Sequence, residues 1–516
     1  MYDVRGIQDY IFKTNYAKEV VGASELVDSI IVDGLNEYIE ALEKEERNNY
    51  MTDWKNDPHN EFLENENIVM QVMYIGGGNA YVLFRDKNKE GKESEKEVEE
   101  MYHAVNRFLG KYVLEKTYSL NLAVAVCEKS DLYAEDYKNV NEKMREIKAK
   151  MPNAKPMGAL PFMARDSITG YPISDIRKEH DEKKRYCTEA LLKRDNFPKD
   201  ESEKVFDNMV TQKGDDSNLA ICHIDGNSMG LMIKNTMENV KSYSDAISKM
   251  RTLSTDIDTS FSKIFDKMVE YMEWLTPKVK KDAKHKLYRK IIVAGDDITF
   301  ICNARLARSA VEFFLESIVK EGYSACAGIA YFNSHFPFSD AYKVAEECCG
   351  SAKKRAKEVE HRGEKDSIGC YMDFQICTNV RAANLGAYRK KHYTTKDGEG
   401  QFIARPYYVP SKTEREKLNQ KNEVYSINHL KEWLQKFNDE KFMARNKAKK
   451  LTNVIPEGLH GIKMYLQFLK YRGVFMDNPE EQYRYWYDAL EIMDIDLILK
   501  EGEADEDKEF KNSLIK

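Results

Sequence analysis

The sequence lacks a dominant charge of either sign. Lys and Arg number 80 against 87 Asp and Glu, a net charge of -7, so no global basic field draws the chain onto nucleic acid or an acidic membrane. Strong intrinsic nucleic-acid binding is therefore not expected, and any such contact has to be local or delegated to partners. Nine cysteines are present and none forms a CxxC pair, which removes the common zinc and dithiol motifs. Several stand in apolar strand-like runs, where a reduced thiol acts as a small hydrophobe. No apolar run approaches the roughly 20 residues a membrane helix needs, and the first residues lack a basic stretch followed by an apolar core. A soluble, cytoplasmic protein that does not span a membrane is expected.

What is present is enough apolar material, 42% of 516 residues, for two or three ordinary domains. The order of elements in residues 1–130 recurs in residues 217–380, each reading as strand, helix, hairpin, helix, strand. The first copy has a strand at 2–5, helical spacing through Leu26, Ile30, Leu35, Ile39 and Leu42, and a hairpin turning at Gly76-Gly77-Gly78-Asn79. The second opens with an apolar strand ending at Asp225-Gly226-Asn227, and its hairpin turns at Ala294-Gly295-Asp296-Asp297. Glycines at tight turns between β-rich runs supply the positive φ a hairpin needs. The expected fold is α+β, two ferredoxin-like βαββαβ palm domains. Residues 131–216, punctuated by Pro152, Pro156, Pro161, Gly170 and Pro172, read as a connector with a small insert, and residues 381–516 as a mainly α-helical C-terminal domain for docking.

Setting the two glycine turns in register pairs Gly78 with Asp296 and Asn79 with Asp297, and Gly6 against Gly226 pairs Arg5 with Asp225. On that alignment the first copy carries none of the three carboxylates, which predicts one catalytic palm and one binding palm. Asp-Asp after Gly is by itself ordinary turn chemistry; joined to Asp225 at a neighbouring strand end, it becomes a set of hard oxygen ligands suited to two Mg2+ or Mn2+ ions. Such ions would activate a 3′-hydroxyl and neutralise a triphosphate. Gly226 and Gly295 would admit phosphate close to the backbone, and the amides following Asn227 and Ser228 open a helix that could receive it. Lys353 and Lys354 could meet the triphosphate tail, although they stand in a charged run of the kind that is commonly a solvated face. His223, between apolar neighbours, reads as a packed histidine rather than a base.

The segments HIDGNSMG (223–230), VAGDD (293–297), ACAGIAYF (325–332) and AEECCGSAK (345–353), in this order and spacing, resemble the second palm of the polymerase-like large subunit of type III CRISPR effectors. More distantly they are similar to diguanylate-cyclase and class III nucleotide-cyclase domains. GIQDYIF (6–12), GASELVDS (22–29) and GGGN (76–79) resemble that subunit's first, non-catalytic palm, and RPY (405–407) extends the likeness into the tail. The resemblance implies an enzyme joining ATP 3′ to 5′ into cyclic oligoadenylates. It places metal on Asp225, Asp296 and Asp297, triphosphate on Lys353, and the acceptor nucleotide near Ser24, Gly77, Gly78 and Asn79. It implies effector subunits, and guide RNA through the complex, as partners.

Three departures shape the expectation. Ala294 stands where the family has glycine. GIQ begins at residue 6, so a preceding HD nuclease domain is not expected. The insert at 161–174 keeps Thr-Gly-Tyr-Pro without cysteines, so no structural zinc is expected there. Two other readings stay open: a stand-alone cyclase making a cyclic di- or mononucleotide from ATP or GTP, and a non-catalytic nucleotide-binding scaffold.

Overall fold

The computed structural model describes residues 1–54, 61–76, 78–85, 92–151, 158–179, 182–199, 205–212, 216–238, 240, 242–358, 369–377, 384–398, 400–410 and 425–515. The chain divides into two compact units, Met1–Glu203 with Ser228–Thr259, and Lys204–Asn227 with Ser260–Lys516. Among the described residues no helix is long and apolar enough to cross a membrane.

The first unit is built on β1 (Tyr2–Arg5), β2 (Tyr50–Met51), β3 (Met70–Gly76), β4 (Asn79–Phe84) and β5 (Asn121–Val124), in the order β2-β3-β4-β1-β5. Without the short edge strand β2, this is the strand order of a ferredoxin-like βαββαβ sheet. Gly78 closes the hairpin at φ 78°, and a Cβ there would lie 2.4 Å from Ile7 Cδ1. Gly22 of the GASELVDS segment serves packing: a Cβ on it would meet the Lys193 carbonyl oxygen at 1.8 Å, so helix Ala17–Asp28 lies directly on helix Thr188–Asp195. The insert is a two-stranded hairpin, β6 (Ile173–Glu179) with β7 (Glu182–Cys187). Its Thr-Gly-Tyr-Pro turn is held by the Asp166 carboxylate, which accepts from the amides of Ile168 and Thr169 and from Thr169 Oγ1.

The second unit carries β8 (Asn218–Gly226), β9 (Tyr288–Ala294), β10 (Asp297–Asn303), β11 (Ala325–Asn333), β12 (Tyr371–Ile376) and β13 (Tyr407–Tyr408), in the order β13-β12-β11-β8-β10-β9. The run β11-β8-β10-β9 again has the ferredoxin-like order, extended by β12 parallel to β11. Six consecutive residues of β8, Leu219 to Ile224, are buried, as expected of a central strand covered on both faces. Phe265 packs its ring on Phe300 from one face, while helix Phe338–Glu358 covers the other, with Tyr342 against His223. Gly328 makes that second contact close: a Cβ on it would sit 1.9 Å from the Ala345 carbonyl oxygen.

Helices of the C-terminal region pack onto this palm. Helix Ala304–Ile318 is buried along nearly its whole length, and its Arg308 bonds Asp496 at 2.8 Å and Glu312 at 3.0 Å. Glu312 also accepts from Lys431. The RPY segment is a second clamp. Arg405, fully buried, pairs with Asp488 and Glu491 over the Phe374 ring, and the Tyr407 hydroxyl donates to Asp488 at 2.7 Å.

Candidate active site

The hairpin β9–β10 and the end of β8 bring the three predicted acids together. Asp297 and Asp225 are register partners across β10 and β8, and the Gly226 amide donates to the Asp296 carbonyl at 3.3 Å, which ties the turn to the strand end. Gly295 turns the hairpin at φ 61°, with nothing within 4 Å of where a Cβ would stand. Side chains two apart on a strand share a face, so Asp225 and His223, like Asp297 and Thr299, point toward helix Phe338–Glu358. That helix delivers Lys353, whose ammonium lies 2.5 Å from Asp225 Oδ2 and 3.0 Å from the Gly226 carbonyl oxygen.

The electrostatics are those of crowded anions. Burial, then the Asp225 carboxylate, with a smaller push from Asp297, raises the Asp296 carboxyl to about 6. His223 Nδ1 is 3.0 Å from Thr299 Oγ1 and 3.6 Å from Asp297 Oδ1. Burial holds its imidazole below the usual value, so at neutral pH this approach is dipolar, not ionic. His223 is the packed histidine its neighbours in sequence suggest.

The flanking residues divide. Asn227 gives its backbone amide to the Ser324 carbonyl at 2.8 Å and its side-chain amide to Ser324 Oγ and the Gly369 carbonyl, so it fixes the loop. Ser228 has φ 57°, and its carbonyl accepts from the Leu231 and Met232 amides, both at 3.0 Å, opening helix Met229–Glu238. Lys354 is 80% exposed and faces Glu358 at 4.0 Å, which is a solvated face.

In the first unit Ser24 lies on helix Ala17–Asp28 and Gly78 and Asn79 form the hairpin; Gly77 lies outside the described residues. The expected register needs one correction. Val4, not Gly6, takes the place of Gly226, because the Val4 amide donates to the Gly78 carbonyl at 2.8 Å and Asp3 pairs with Asn79. Asp3, not Arg5, is therefore the counterpart of Asp225, and the first copy does keep one of the three acids. Gly6 opens a helix at φ 82° whereas Gly226 still belongs to β8, so matching the glycines slid the strands by two residues, a slip that leaves every side chain on its own face. Asp3 pairs with Lys148, on the helix after β5 as Lys353 is on the helix after β11. Arg5 instead donates to the Lys148 and Met151 carbonyls. The Asp3–Lys148 pair had no local sequence signal, since its partners are 145 positions apart.

Asp225, Asp296 and Asp297 fit a divalent ion by donor chemistry: they are hard oxygens whose mutual repulsion a cation relieves. Among the described residues no three His, Cys, Asp or Glu side chains are already arranged around an ion; the Lys353 ammonium takes the Asp225 oxygen instead.

Comparison with known proteins adds a family. Residues 218–368 match the model of Cas10/Cmr2, second palm domain. The Cas10-like resemblance carried by the motifs is thus met independently in the part of the chain that holds the acids. Solved structures agree in fold. The apo Csm1–Csm4 cassette matches at 14% identity over 96% of this chain and 69% of that one, with a TM-score of 0.50. The same cassette in complex with cA4 matches at 13% identity over 96% and 69%, TM-score 0.50. Csm1 in T. onnurineus matches at 14% identity over 95% and 68%, TM-score 0.50. At such identities the likeness is one of fold. No curated protein matches the chain.

Proposed function

We propose that the second palm is the catalytic half of a metal-dependent nucleotidyltransferase that joins ATP 3′ to 5′ into cyclic oligoadenylate, in the manner of a type III CRISPR large subunit. The observation that carries this reading is the convergence of Asp225, Asp296 and Asp297 at one sheet end, with Asp297 and Asp225 in register and Asp296 held near a pKa of about 6 by burial and by its neighbours. The Cas10/Cmr2 match over the same residues and the likeness in fold to a Csm1–Csm4 cassette that binds cA4 support it. Effector subunits of the Csm4 kind are the partners this reading implies.

In the proposed site Asp225, Asp296 and Asp297 hold Mg2+ or Mn2+, which supplies charge neutralisation at the α-phosphate and the departing pyrophosphate and acidifies the attacking hydroxyl. Lys353 leaves Asp225 for the triphosphate oxygens. Gly226 and Gly295 leave room for phosphate, with Asn227 fixing the loop and Ser228 starting the helix behind it. Ser24, Gly77, Gly78 and Asn79 receive the acceptor nucleotide on the first palm. The chain's contribution is position and electrostatics rather than covalent chemistry.

The test is incubation of the purified protein with ATP, and separately GTP, in Mg2+ and in Mn2+, alone and assembled with its partner subunits and target RNA, with products read by mass. Cyclic oligoadenylate that disappears in the Asp296→Ala, Asp297→Ala double variant is expected. No product under any condition, or product indifferent to that variant, would sink the proposal.

A further inference from the structure

The negative charge of the whole chain hides a local excess of the opposite sign. Residues 441–475 contain eight Lys and Arg and one acid, Glu457. Part of this charge is matched from outside the stretch: Asp494 pairs with Arg445 and Lys449, and Glu480 with Lys463. Lys450 and Arg472 have no carboxylate partner among the described residues. They stand over rings instead: Lys450 Nζ is 5.7 Å from the Tyr465 ring and 5.9 Å from Phe468, and the Arg472 guanidinium is 5.5 Å from Phe468.

The rings themselves face outward. On helix Leu459–Lys470 the inward residues Ile462, Tyr465 and Leu469 are buried, while Phe468 is 43% exposed and the following Tyr471 and Phe475 are 91% and 63% exposed. Phe468 stacks on Tyr465 at 5.7 Å and 20°. An exposed ring, Phe468, beside unmatched cations, with the exposed Tyr471 and Phe475 close after it in the chain, asks for a ligand with flat apolar faces and regularly spaced negative charges.

We propose that this face of the C-terminal helices binds single-stranded nucleic acid, with Tyr471, Phe475 and Phe468 stacking bases and Lys450 and Arg472 taking phosphates. Lysine, abundant here, is depleted at protein–protein contacts, so the composition favours a polyanion over an apolar protein surface. Exposed rings stack only on unpaired bases, which excludes a duplex as the preferred ligand. A net charge of -7 weakens long-range attraction, so binding depends on this patch and on salt.

The test is fluorescence anisotropy of the full chain with labelled oligouridylate and oligothymidylate of about 20 nucleotides and an RNA duplex of the same length. Both single strands bind at least about tenfold tighter than the duplex, with a log–log salt slope of roughly -1.5 to -3 for two to four phosphates. Tyr471→Ala with Phe475→Ala weakens binding about tenfold or more, whereas Tyr471→Trp retains it. Lys450→Glu with Arg472→Glu weakens it further and flattens the salt slope, while the control Lys281→Glu with Lys284→Glu changes it less than about twofold. The proposal is overturned if the wild type binds neither single strand, if the patch variants leave affinity unchanged, or if the control loses as much as they do. It is also overturned if a labelled oligoglutamate peptide binds as tightly with the same dependence on the patch, which would assign the surface to an acidic protein segment.

Discussion

The Lys353 ammonium touches both Asp225 Oδ2, at 2.5 Å, and the Gly226 carbonyl oxygen, at 3.0 Å, so a protein cation occupies the acid cluster. The same device recurs as Lys148 on Asp3 in the first palm. If Lys353 competes with divalent metal for Asp225, removing its charge raises metal affinity while lowering turnover. A partly exposed ion pair of this kind is worth about 0.2–1 kcal/mol, which sets the gain at about 1.4- to fivefold. Titration of Mn2+ by electron paramagnetic resonance should show Lys353→Met binding the ion more tightly than wild type, with slower product formation from ATP. Unchanged Mn2+ affinity would show that the lysine does not compete.

The order of strands and helices was readable because apolar spacing switches cleanly between strand and helix periods, and because turn glycines punctuate both copies. The acids were readable as a set because they fall at strand ends that this topology makes adjacent. The register of Asp225 was not, since a two-residue slip preserves facing and the glycines offered a false anchor. Nor was the role of Arg308 and Glu312 visible: at i,i+4 on a helix they look like a surface pair, and only the C-terminal helices packed over them make them buried.

Gly328 illustrates how a motif glycine acts at a distance from the chemistry. A Cβ there would lie 1.9 Å from the Ala345 carbonyl oxygen and 2.4 Å from the Cys349 amide nitrogen, both backbone atoms of the helix that carries Lys353. The helix must move away from β11. Gly328→Ala should cost about 1–3 kcal/mol or more, read as a lower urea midpoint, and should slow product formation through the displaced Lys353. Gly110→Ala, with no atom within 4 Å of its Cβ, should be neutral or slightly stabilising on its helix. Equal midpoints for the two variants would refute a packing role for Gly328.

Glu312 ties stability to pH. Burial alone would raise its carboxyl, but Lys431, Lys511 and Arg308 outweigh burial and bring it from 4.5 to about 2. A carboxyl whose folded value is depressed favours the folded state above its unfolded value, so this stabilisation is complete above about pH 4.5 and is lost as pH falls toward 2. At about 1.4 kcal/mol per unit it amounts to about 3 kcal/mol. Glu312→Gln should therefore lower stability at pH 7, and the gap from wild type should shrink as both are titrated toward pH 2.5–3. A gap independent of pH would mean that packing, not charge, holds the helix.

Arg405 makes the sharpest distinction between a motif that binds ligand and one that braces the fold. Its guanidinium is fully buried, 4.4 Å from the Phe374 ring, and it meets two carboxylates, Asp488 and Glu491. The Asp488 carboxylate also accepts from the Ala404 and Arg405 amides and the Tyr407 hydroxyl. Removing the arginine leaves the buried Asp488 carboxylate without its cation beside the partly buried Glu491, a loss of about 3–5 kcal/mol for a broken buried pair. Lysine cannot restore the planar fork or the stacking, so Arg405→Lys should fail nearly as badly as Arg405→Met. Converting Asp488 to Asn along with Arg405→Met should recover part of the loss, because one of the stranded charges is gone. Thermal and urea unfolding of the three variants decides the matter: a bracing role requires all three to be destabilised, with the double variant better than Arg405→Met alone. Wild-type stability with lost nucleotide binding would instead make Arg405 a ligand-contacting residue.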